Sequence, residues 1–259
     1  MDWSRDGAAW PNREASRFVE SGGLRWHVQI AGDGPPLLLV HGTAASTHSW
    51  RDVFPLLAER FQVVAVDLPG HAFTSPPPYP SGWTLPGMAA ALARLMTALG
   101  IAPEAAAGHS AGAAILIGAA LDGLLSPGRI IALNGALLPF HGVGRHLFPT
   151  MARLMFLNPL TPAVFAWRAS HDGVVKDLIE GTGSSIDAKG LAIYKRLMSD
   201  REHVTAALSM MANWDLAALE RRLPALAVPL TLVVGRDDKA VPPAVARRVR
   251  ALVPSAEVL

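Results

Sequence analysis

The sequence feature that most constrains the fold is a serine framed by glycines: residues 108–112 are Gly-His-Ser-Ala-Gly. A short apolar stretch, 104–107, precedes them, and a long run of Ala, Ile and Leu, 113–121, follows. Small residues around a serine are typical of a strand that turns sharply into a helix, because the backbone there packs too closely for larger side chains. The pattern predicts a tight turn with Ser110 at its apex. The same motif also recurs by chance in flexible loops, so the surrounding sequence must distinguish a strand-to-helix turn from a loop.

Three further apolar runs have the form of buried parallel strands. Residues 36–43 end in His-Gly-Thr, and a glycine-containing loop of this kind can aim a backbone N–H at a developing oxyanion. Residues 63–71 end in a Pro-Gly turn, and residues 230–242 include an acidic turn before a helix. Because strands and helices alternate along the chain, we expect a mostly parallel sheet with helices on both faces.

Four motifs in this order resemble the α/β-hydrolase superfamily. They are an oxyanion loop after the first apolar run, a D-x-P-G turn at 67–70, the serine turn, and a late strand with an acid in G-x-x-D-x-x-V-P at 235–242. The resemblance covers residues 24–259. It implies the α/β-hydrolase fold and a serine nucleophile.

The resemblance also implies roles for three residues around the serine turn. Ser110 would attack an acyl or similar carbon. The backbone N–H groups of Thr43 and Ala111 would bind the oxyanion, where each donor is worth on the order of 3 kcal/mol of the barrier. The site predicted in this way needs no cofactor and no metal, and the scattered histidines show no metal-ligand spacing.

The resemblance places the acid of the site at Asp238, where it would orient a histidine. Asp237 is the alternative if the register of the turn differs by one residue. Asn134 occupies the family's other acid position and cannot carry the charge. In the superfamily the histidine base follows the last strand, and that strand is predicted to begin at residue 256, close to the end of the sequence.

None of the nine histidines lies at that position. His109 should point away from Ser110, because side chains alternate along an extended strand, and His41 and His71 are expected to make structural hydrogen bonds beside their turns. The other histidines fall in early elements or in a later helical segment: His27, His48, His141, His146, His171 and His203. Two hypotheses stay open. Either the polypeptide lacks a segment that carries the base, which we favour because a chain that ends inside a strand leaves ladder bonds unmade, or the protein is a binding module without a base.

Periodicity and turn residues predict the elements of the core. An antiparallel edge strand is expected over 22–31, and residues 1–19 are expected to form a polar arm that contains Trp. The core helices are predicted at 50–59, 85–99, 111–121 and 242–252. The segment 104–107 has helical propensity, but the serine turn requires a strand there, and burial overrides propensity.

After a strand at 129–133 the alternation of strands and helices stops. Residues 140–213 are rich in Met, Phe and Trp, with helical patterns at 150–157, 174–180, 191–198 and 203–212. We therefore predict a core of residues 1–139 and 214–259 and a helical cap of residues 140–213 over Ser110. A cap supplies a pocket and excludes water. Any single apolar residue there is better assigned to the cap's own core, but the segment as a whole indicates a large and mostly apolar ligand.

Composition excludes several classes of function. The chain has no cysteine, which excludes disulfides and thiolate metal sites. The formal net charge is only +2, with Lys and Arg dispersed, so nucleic acid is not an expected partner. The longest apolar run is too short to cross a bilayer, and the first residues do not resemble a secretory signal. We expect a cytoplasmic protein without a transmembrane segment.

Segments outside the hydrolase motifs carry a narrower resemblance. Residues 1–3, 10–16, 133–139, 179–184 and 210–215 are similar to the BchO family of magnesium-chelatase accessory proteins of bacteriochlorophyll biosynthesis. The resemblance implies a role in the pathway that inserts magnesium into protoporphyrin. It implies a tetrapyrrole as a candidate ligand, magnesium chelatase as a candidate partner, and the periphery of the photosynthetic membrane as an alternative location.

Three functions stay open on the sequence. The first is a serine hydrolase that acts on an ester or lactone. The second is a non-catalytic accessory protein that binds a tetrapyrrole or the chelatase. The third is haloperoxidase-like or C–C bond hydrolase chemistry, which uses the same Ser, His and Asp with another substrate. Haloalkane dehalogenation is disfavoured, because it needs a carboxylate where Ser110 stands.

Overall fold

One mixed sheet forms the centre of the protein. The computed structural model describes residues 1–139, 161–169 and 173–259. Its strands are β1 Ser16–Ser21, β2 Leu24–Ala31, β3 Pro36–Val40, β4 Gln62–Val66, β5 Ala105–His109, β6 Arg129–Leu133, β7 Leu230–Val233 and β8 Glu257–Val258. The order across the sheet is β1-β2-β4-β3-β5-β6-β7-β8. Strands β3 to β8 are parallel to one another, and β1 and β2 run antiparallel at one end. The predicted α/β-hydrolase fold is confirmed.

The antiparallel end of the sheet differs from the sequence expectation. The edge strand is β1, whose Phe18 pairs with His27 of β2, so residues 16–19 do not belong to an arm. Strand β2 is interior, because its Val28 pairs with Val66 of β4. The turn between β1 and β2 uses Gly22 and Gly23 at positive φ, which closes a tight hairpin without steric cost.

The core helices are α1 Trp3–Asp6, α2 Phe54–Ala58, α3 Leu85–Leu99, α4 Ala111–Leu121, α9 Leu216–Arg222 and α10 Pro243–Leu252. The predictions for α3 and α4 are correct to the residue, and α10 begins one residue later than predicted. Helix α2 is shorter than predicted, since residues 47–50 form a separate 3-10 turn. Pro55 lies in the first turn of α2, where its missing N–H needs no partner.

Strand β5 shows why burial in the sheet outweighs the helical propensity of its alanines. It is built from three alanines, a glycine and a histidine, and it lies between β3 and β6 in the middle of the sheet. Ala106 pairs with Leu38 on one side and Ile130 on the other. Full pairing on both edges and burial on both faces hold these alanines in a strand, as predicted.

Helix α4 is the most deeply buried helix that the structure describes. All its residues from Ala111 to Ala119 are buried, and it packs against α3 and against β5 and β6 of the sheet. A helix that is apolar on every side must be covered on every side. Its N-terminus is therefore held rigidly at the end of β5.

The segment 140–213, which we call the insert, follows β6, and its described residues form four helices. They are α5 Thr161–Ala169, α6 Val174–Gly181, α7 Ala188–Met198 and α8 Arg201–Asn213. Asp187 and Asp200 cap α7 and α8 by accepting backbone N–H bonds from Gly190 and His203. The helices predicted at 174–180, 191–198 and 203–212 are observed with slightly wider bounds, and the helix predicted at 150–157 lies outside the described residues.

The N-terminal residues pack against the insert. Trp10 forms a buried cluster with Phe73, Ala72 and Leu197 of α7. The indole N–H of Trp10 donates to Thr47 Oγ1 at 3.1 Å. The segment before β1 therefore connects the insert to the loops of the core. No helix among the described residues is long and apolar enough to span a membrane.

Candidate active site

Ser110 occupies a strained turn between β5 and α4. Its backbone has φ 51° and ψ −114°, which is a costly conformation for a residue with a side chain. Three backbone hydrogen bonds hold it: the Ser110 N–H donates to Leu133 O at 2.9 Å, and Ser110 O accepts from Ala113 N at 3.2 Å and Ala136 N at 3.1 Å. The predicted turn with Ser110 at its apex is what the structure contains.

The two framing glycines are required by close backbone contacts. A Cβ on Gly108 would lie 2.4 Å from the backbone nitrogen of Ala113. A Cβ on Gly112 would lie 2.2 Å from the carbonyl oxygen of Val40, at the end of β3. Real Cβ atoms do not approach backbone this closely, so glycine at both positions lets α4 start directly beside the strands.

The loop after β3 touches Ser110 directly. A Cβ on Gly42 would lie 3.0 Å from Ser110 Cβ. The next residue, Thr43, is half-buried, and among the described residues its N–H has no acceptor. The N–H of Ala111, the first residue of α4, has no acceptor within its own helix. Two backbone donors thus lie near Ser110, one on Ala111, which follows it, and one on Thr43, which follows Gly42.

The acid turn after β7 is ordered around Asp238. Asp238 Oδ1 accepts from the N–H groups of Ala240 at 2.7 Å and Val241 at 2.8 Å. Its other oxygen accepts from the side-chain amide of Asn134. Asp237 is exposed and has no such bonds among the described residues, so the geometry favours Asp238 over Asp237 as the oriented carboxylate.

Asn134 has a role that the sequence analysis did not identify. It directly follows β6 with φ 45°, and its Oδ1 accepts from Gly235 N at 3.0 Å while its amide donates to Asp238. Asn134 therefore joins the ends of β6 and β7 and holds the acid turn. Asparagine tolerates the left-handed region better than most residues, and that property was the available signal.

His109 is the histidine nearest to Ser110 along the chain. Its Nδ1 would lie 3.0 Å from a Cβ on Gly42, so the ring faces the loop after β3. Desolvation lowers the pKa of His109 below its usual value, and the negative charge of Asp238 opposes this. No hydrogen bond between His109 and Ser110 occurs among the described contacts.

Three other histidines form a buried row behind the loops. His41 Nε2 accepts from Leu68 N at 2.9 Å, and His71 Nε2 accepts from Ala44 N at 3.2 Å. His203, from α8 of the insert, lies with its ring centroid 5.1 Å from that of His71. The structural hydrogen bonds predicted for His41 and His71 are confirmed.

These three imidazoles are neutral. Each is almost completely buried. Burial lowers the pKa of His41 and His71 to about 3 and that of His203 to about 4. Because a neutral imidazole has one donor and one acceptor, each ring connects two backbone groups and fixes the loops around them.

The other two early histidines, His27 and His48, are also buried and have polar partners in the core. His27 Nδ1 lies 2.7 Å from Asp67 Oδ2, and both side chains are fully buried. His48 Nδ1 lies 2.5 Å from Ser46 Oγ. His141, His146 and His171 lie outside the described residues. No group of three or more metal-ligating side chains occurs in the described part of the chain.

Comparison with known proteins agrees with this geometry. Residues 35–259 match the protein family described as "alpha/beta hydrolase fold". The chain belongs to the α/β-hydrolase fold family. In this α/β-hydrolase the strained serine, the loop after β3 and the acid turn all lie at the carboxyl end of the parallel strands, where open α/β sheets place their sites.

Two curated relatives extend along most of this α/β-hydrolase. The magnesium-chelatase 30 kDa subunit of Rhodobacter capsulatus is 42% identical over 238 residues, which cover 91% of this chain and 82% of that protein. The pimeloyl-[acyl-carrier protein] methyl ester esterase of Methylococcus capsulatus is 26% identical, over 83% of this chain and 81% of that protein. The predicted relationship to the magnesium-chelatase accessory proteins is confirmed at the level of the family.

A solved structure shows the same fold. An α/β-hydrolase fold protein from Burkholderia ambifaria superposes with a TM-score of 0.75 at 22% identity, over 94% of this chain and 88% of that one. Its similarity concerns the arrangement of strands and helices. The chemistry of this chain must be argued from its own residues.

Proposed function

We propose that this protein is a serine hydrolase with Ser110 as nucleophile. The observation that carries the proposal is the backbone of Ser110, whose strained turn lies between β5 and the buried α4. Strain of this kind persists only where surrounding contacts enforce it, and it is concentrated at functional sites. The turn presents the serine hydroxyl at the carboxyl edge of the sheet, where a substrate can approach it.

The N–H groups of Thr43 and Ala111 complete the nucleophilic site in this proposal. Attack on an ester carbonyl moves negative charge onto the carbonyl oxygen, and backbone donors that are already fixed in place stabilise that charge without reorganisation. In the Thr43 loop, Gly42 O accepts from Ala45 N at 3.2 Å and lies 2.7 Å from His41 Nδ1, and the Ala111 amide is held in place by α4. Removal of one such donor typically lowers kcat by about 100-fold to 1000-fold.

Asp238 is the acid of the proposed site. Two backbone N–H bonds and the Asn134 amide hold its carboxylate, so the position of the charge is set by the ends of β6 and β7. A carboxylate held in this way can orient a histidine and stabilise its protonated form. His109 makes no hydrogen bond to Ser110 among the described contacts, and the other described histidines are buried in structural contacts. No described histidine is therefore assigned as the base.

The insert is proposed to be a cap, with the core formed by residues 1–139 and 214–259. It contacts the acid turn, where Lys239 N donates to Thr182 O at 2.9 Å, and it contacts the loop after β3 through His203. A helical layer that touches both sides of the site can enclose an apolar ester and exclude water. The similarity to a methyl ester esterase supports an ester as the substrate class.

A fluorophosphonate probe tests the nucleophile. The full-length protein should be labelled at Ser110, and Ser110→Ala should not be labelled, because the probe reacts only with a serine that an active site has made nucleophilic. Mass spectrometry of the labelled peptide identifies the residue. Ser49→Ala, which removes another serine hydroxyl, is the matched control and should be labelled like the unmodified protein. Absence of Ser110 labelling would contradict the proposal.

The second candidate is a non-catalytic accessory function in magnesium chelation. The observation that favours it is the 42% identity to the magnesium-chelatase 30 kDa subunit of Rhodobacter capsulatus. In this case the insert would bind a tetrapyrrole or the chelatase in the cytoplasm, and the serine would not be used. The same Ser110→Ala variant separates the two functions, since magnesium insertion should fall with a catalytic role and stay unchanged with an accessory role.

A further inference from the structure

One histidine of the insert contacts both loops that flank the serine turn. His203 lies in the first turn of α8 and is 1% exposed. Its Nδ1 accepts from the N–H of Ala72, in the turn after β4, at 3.0 Å. Its Nε2 lies 3.1 Å from the carbonyl oxygen of Ala44, in the loop after β3. A single ring therefore joins the insert to two separate loops of the core.

The partners of His203 determine where its proton lies. The Ala72 N–H can only donate, so Nδ1 must be unprotonated. The Ala44 carbonyl can only accept, so Nε2 carries the proton and donates it. Neither protonating Nδ1 nor moving the proton from Nε2 is compatible with both bonds. The ring is therefore neutral, with its proton on Nε2.

The second buried histidine holds the other side of Ala44. His71 Nε2 accepts from the Ala44 N–H at 3.2 Å, and its Nδ1 donates to Pro69 O at 3.1 Å. Ala44 itself has φ 61°, a left-handed conformation that is unfavourable for a residue with a Cβ. Both polar groups of Ala44 are therefore held by imidazoles, and these bonds maintain the strained conformation.

Imidazoles hold the peptide groups on both sides of Ala44. The peptide group between Thr43 and Ala44 is oriented by the bond to His71, and the next one is oriented by the bond to His203. Thr43 lies between this fixed peptide and Gly42, which touches Ser110. The peptide that carries the Ala44 carbonyl also donates its Ala45 N–H to Gly42 O at 3.2 Å, and Gly42 O belongs to the peptide that carries the Thr43 N–H. His41 Nδ1 lies 2.7 Å from the same Gly42 O. A shift of the Ala44 carbonyl is therefore passed through the Ala45 N–H to the peptide of the Thr43 N–H.

We propose that His203 is a positioning residue for the oxyanion site: through its Nε2–H bond to Ala44, helix α8 of the insert sets the position of the Thr43 amide. The proposal rests on the proposed serine hydrolase function and extends it. The packing of the insert on the core then also positions the oxyanion site. A substitution in the insert that moves α8 should therefore change the rate of the chemical step as well as substrate binding.

Two substitutions separate the two bonds of His203. In His203→Gln the side-chain amide nitrogen can reach the position of Nε2 and donate to Ala44 O. In His203→Asn the side-chain oxygen can reach the position of Nδ1 and accept from Ala72 N–H, while the bond to Ala44 is lost. Both variants are compared with unmodified full-length protein by fluorophosphonate labelling of Ser110, with the maximal rate kinact and the half-saturating concentration KI measured separately.

The positioning role predicts different rates for the two variants. His203→Gln should keep kinact within a few-fold, whereas His203→Asn should lose roughly 10-fold to 100-fold in kinact with little change in KI, because a displaced donor forfeits much of its stabilisation. His48→Gln and His48→Asn are matched controls. His48 is also buried, but its Nδ1 contacts Ser46 and not Ala44. The two control variants should have the same kinact.

Equal kinact for folded His203→Gln and His203→Asn, judged by circular dichroism, would overturn the positioning role and leave the serine hydrolase standing. No labelling of the unmodified protein would overturn the proposed function, and this inference with it. The unmodified protein also supplies a test that needs no variant. The His203 Nε2 proton resonance should shift when Ser110 is phosphonylated, and an unchanged resonance would overturn the coupling.

Discussion

At the scale of residues, strained backbone marks the site. Among the described residues, those with positive φ that are not glycine include Ala44, Ala72, Ser110 and Asn134. They follow β3, β4, β5 and β6, so the strain is concentrated at the carboxyl edge of the parallel strands. Such conformations cost free energy and persist where packing enforces them. The strain at Ala44, Ala72 and Asn134 therefore adds to that at Ser110 in support of this edge of the sheet as the functional one.

Helix α4 contains two glycines that differ in what surrounds them. In Gly112→Ala the new Cβ would lie 2.2 Å from Val40 O, which forces α4 away from β3. We expect the free energy of unfolding to fall by about 1–3 kcal/mol and Ser110 labelling to be lost. Gly118→Ala is the matched control, because the nearest atom to its Cβ would be Leu85 Cγ at 3.7 Å.

Gly118→Ala should be neutral or stabilising by about 0.5–1 kcal/mol, since alanine is the better helix former. Urea unfolding measures both variants. A loss of stability in Gly118→Ala as large as that in Gly112→Ala would show that α4 tolerates no Cβ at either glycine, and the argument from the Val40 contact would fail.

At the scale of elements, the insert is held to the core by contacts from several directions. Leu197 of α7 is completely buried beside Trp10 and Phe73. Arg51 pairs with Asp187, the N-cap of α7, at 2.7 Å. The apolar contact should contribute most of the stability, because the ion pair is partly exposed and such pairs contribute little. Helix α7 is thus attached to the core by an apolar cluster and by an ion pair at its N-cap.

Truncation of Leu197 tests this attachment. Leu197→Ala removes a fully buried side chain and should lower the free energy of unfolding by about 2–5 kcal/mol. Leu56→Ala, at a position 64% exposed, should change it by less than about 0.5 kcal/mol. Thermal or urea unfolding gives both values. An effect of Leu197→Ala as small as that of Leu56→Ala would mean that α7 is not fixed to the core through this cluster.

At the scale of the whole molecule, the neutral histidines make stability depend on pH. Burial lowers the pKa of His41 and His71 to about 3 and that of His203 to about 4, from 6.5. Below pH 6.5 the unfolded chain therefore binds protons that the folded protein does not. The free energy of unfolding should fall as the pH decreases from 6.5 toward 4, by up to about 1.4 kcal/mol per pH unit for each histidine.

Urea unfolding at pH values from 7.5 to 4.5 measures this dependence. Asp6 contributes little in this range, because its pKa is 3.8 in the unfolded chain and its hydrogen bond to Arg5 lowers it to about 2 in the folded protein, so both values lie below the range. Burial also lowers the pKa of His48 to about 3, so it contributes in the same direction. His203→Gln lacks one of these buried imidazoles and should show a shallower slope. A stability that is constant between pH 6.5 and 4.5 would contradict the assignment of neutral buried rings.

The order of the motifs was enough to predict the fold and the serine turn. Apolar runs mark strands that are buried on both faces, and the glycines at 108 and 112 mark close backbone contacts, so both signals are local. The edge strand β1 was missed, because its half-buried residues alternate weakly and its identity depends on pairing with β2. Asn134 carries no charge, so its exclusion as the acid is correct. Its hydrogen bond to Asp238 could not be predicted, because the two residues are 104 positions apart along the chain.

By itself the sequence determined the class of fold, the bounds of α3, α4 and β6, and the residue at the apex of the turn. These follow from side-chain size and periodicity, which act over a few residues. Only the tertiary structure decided that His203 of the insert meets Ala44 and Ala72, and that Asn134 meets the acid turn. Such contacts depend on how distant segments pack. A buried polar group takes whichever partner the fold brings within hydrogen-bonding distance, and spacing along the chain does not specify that partner.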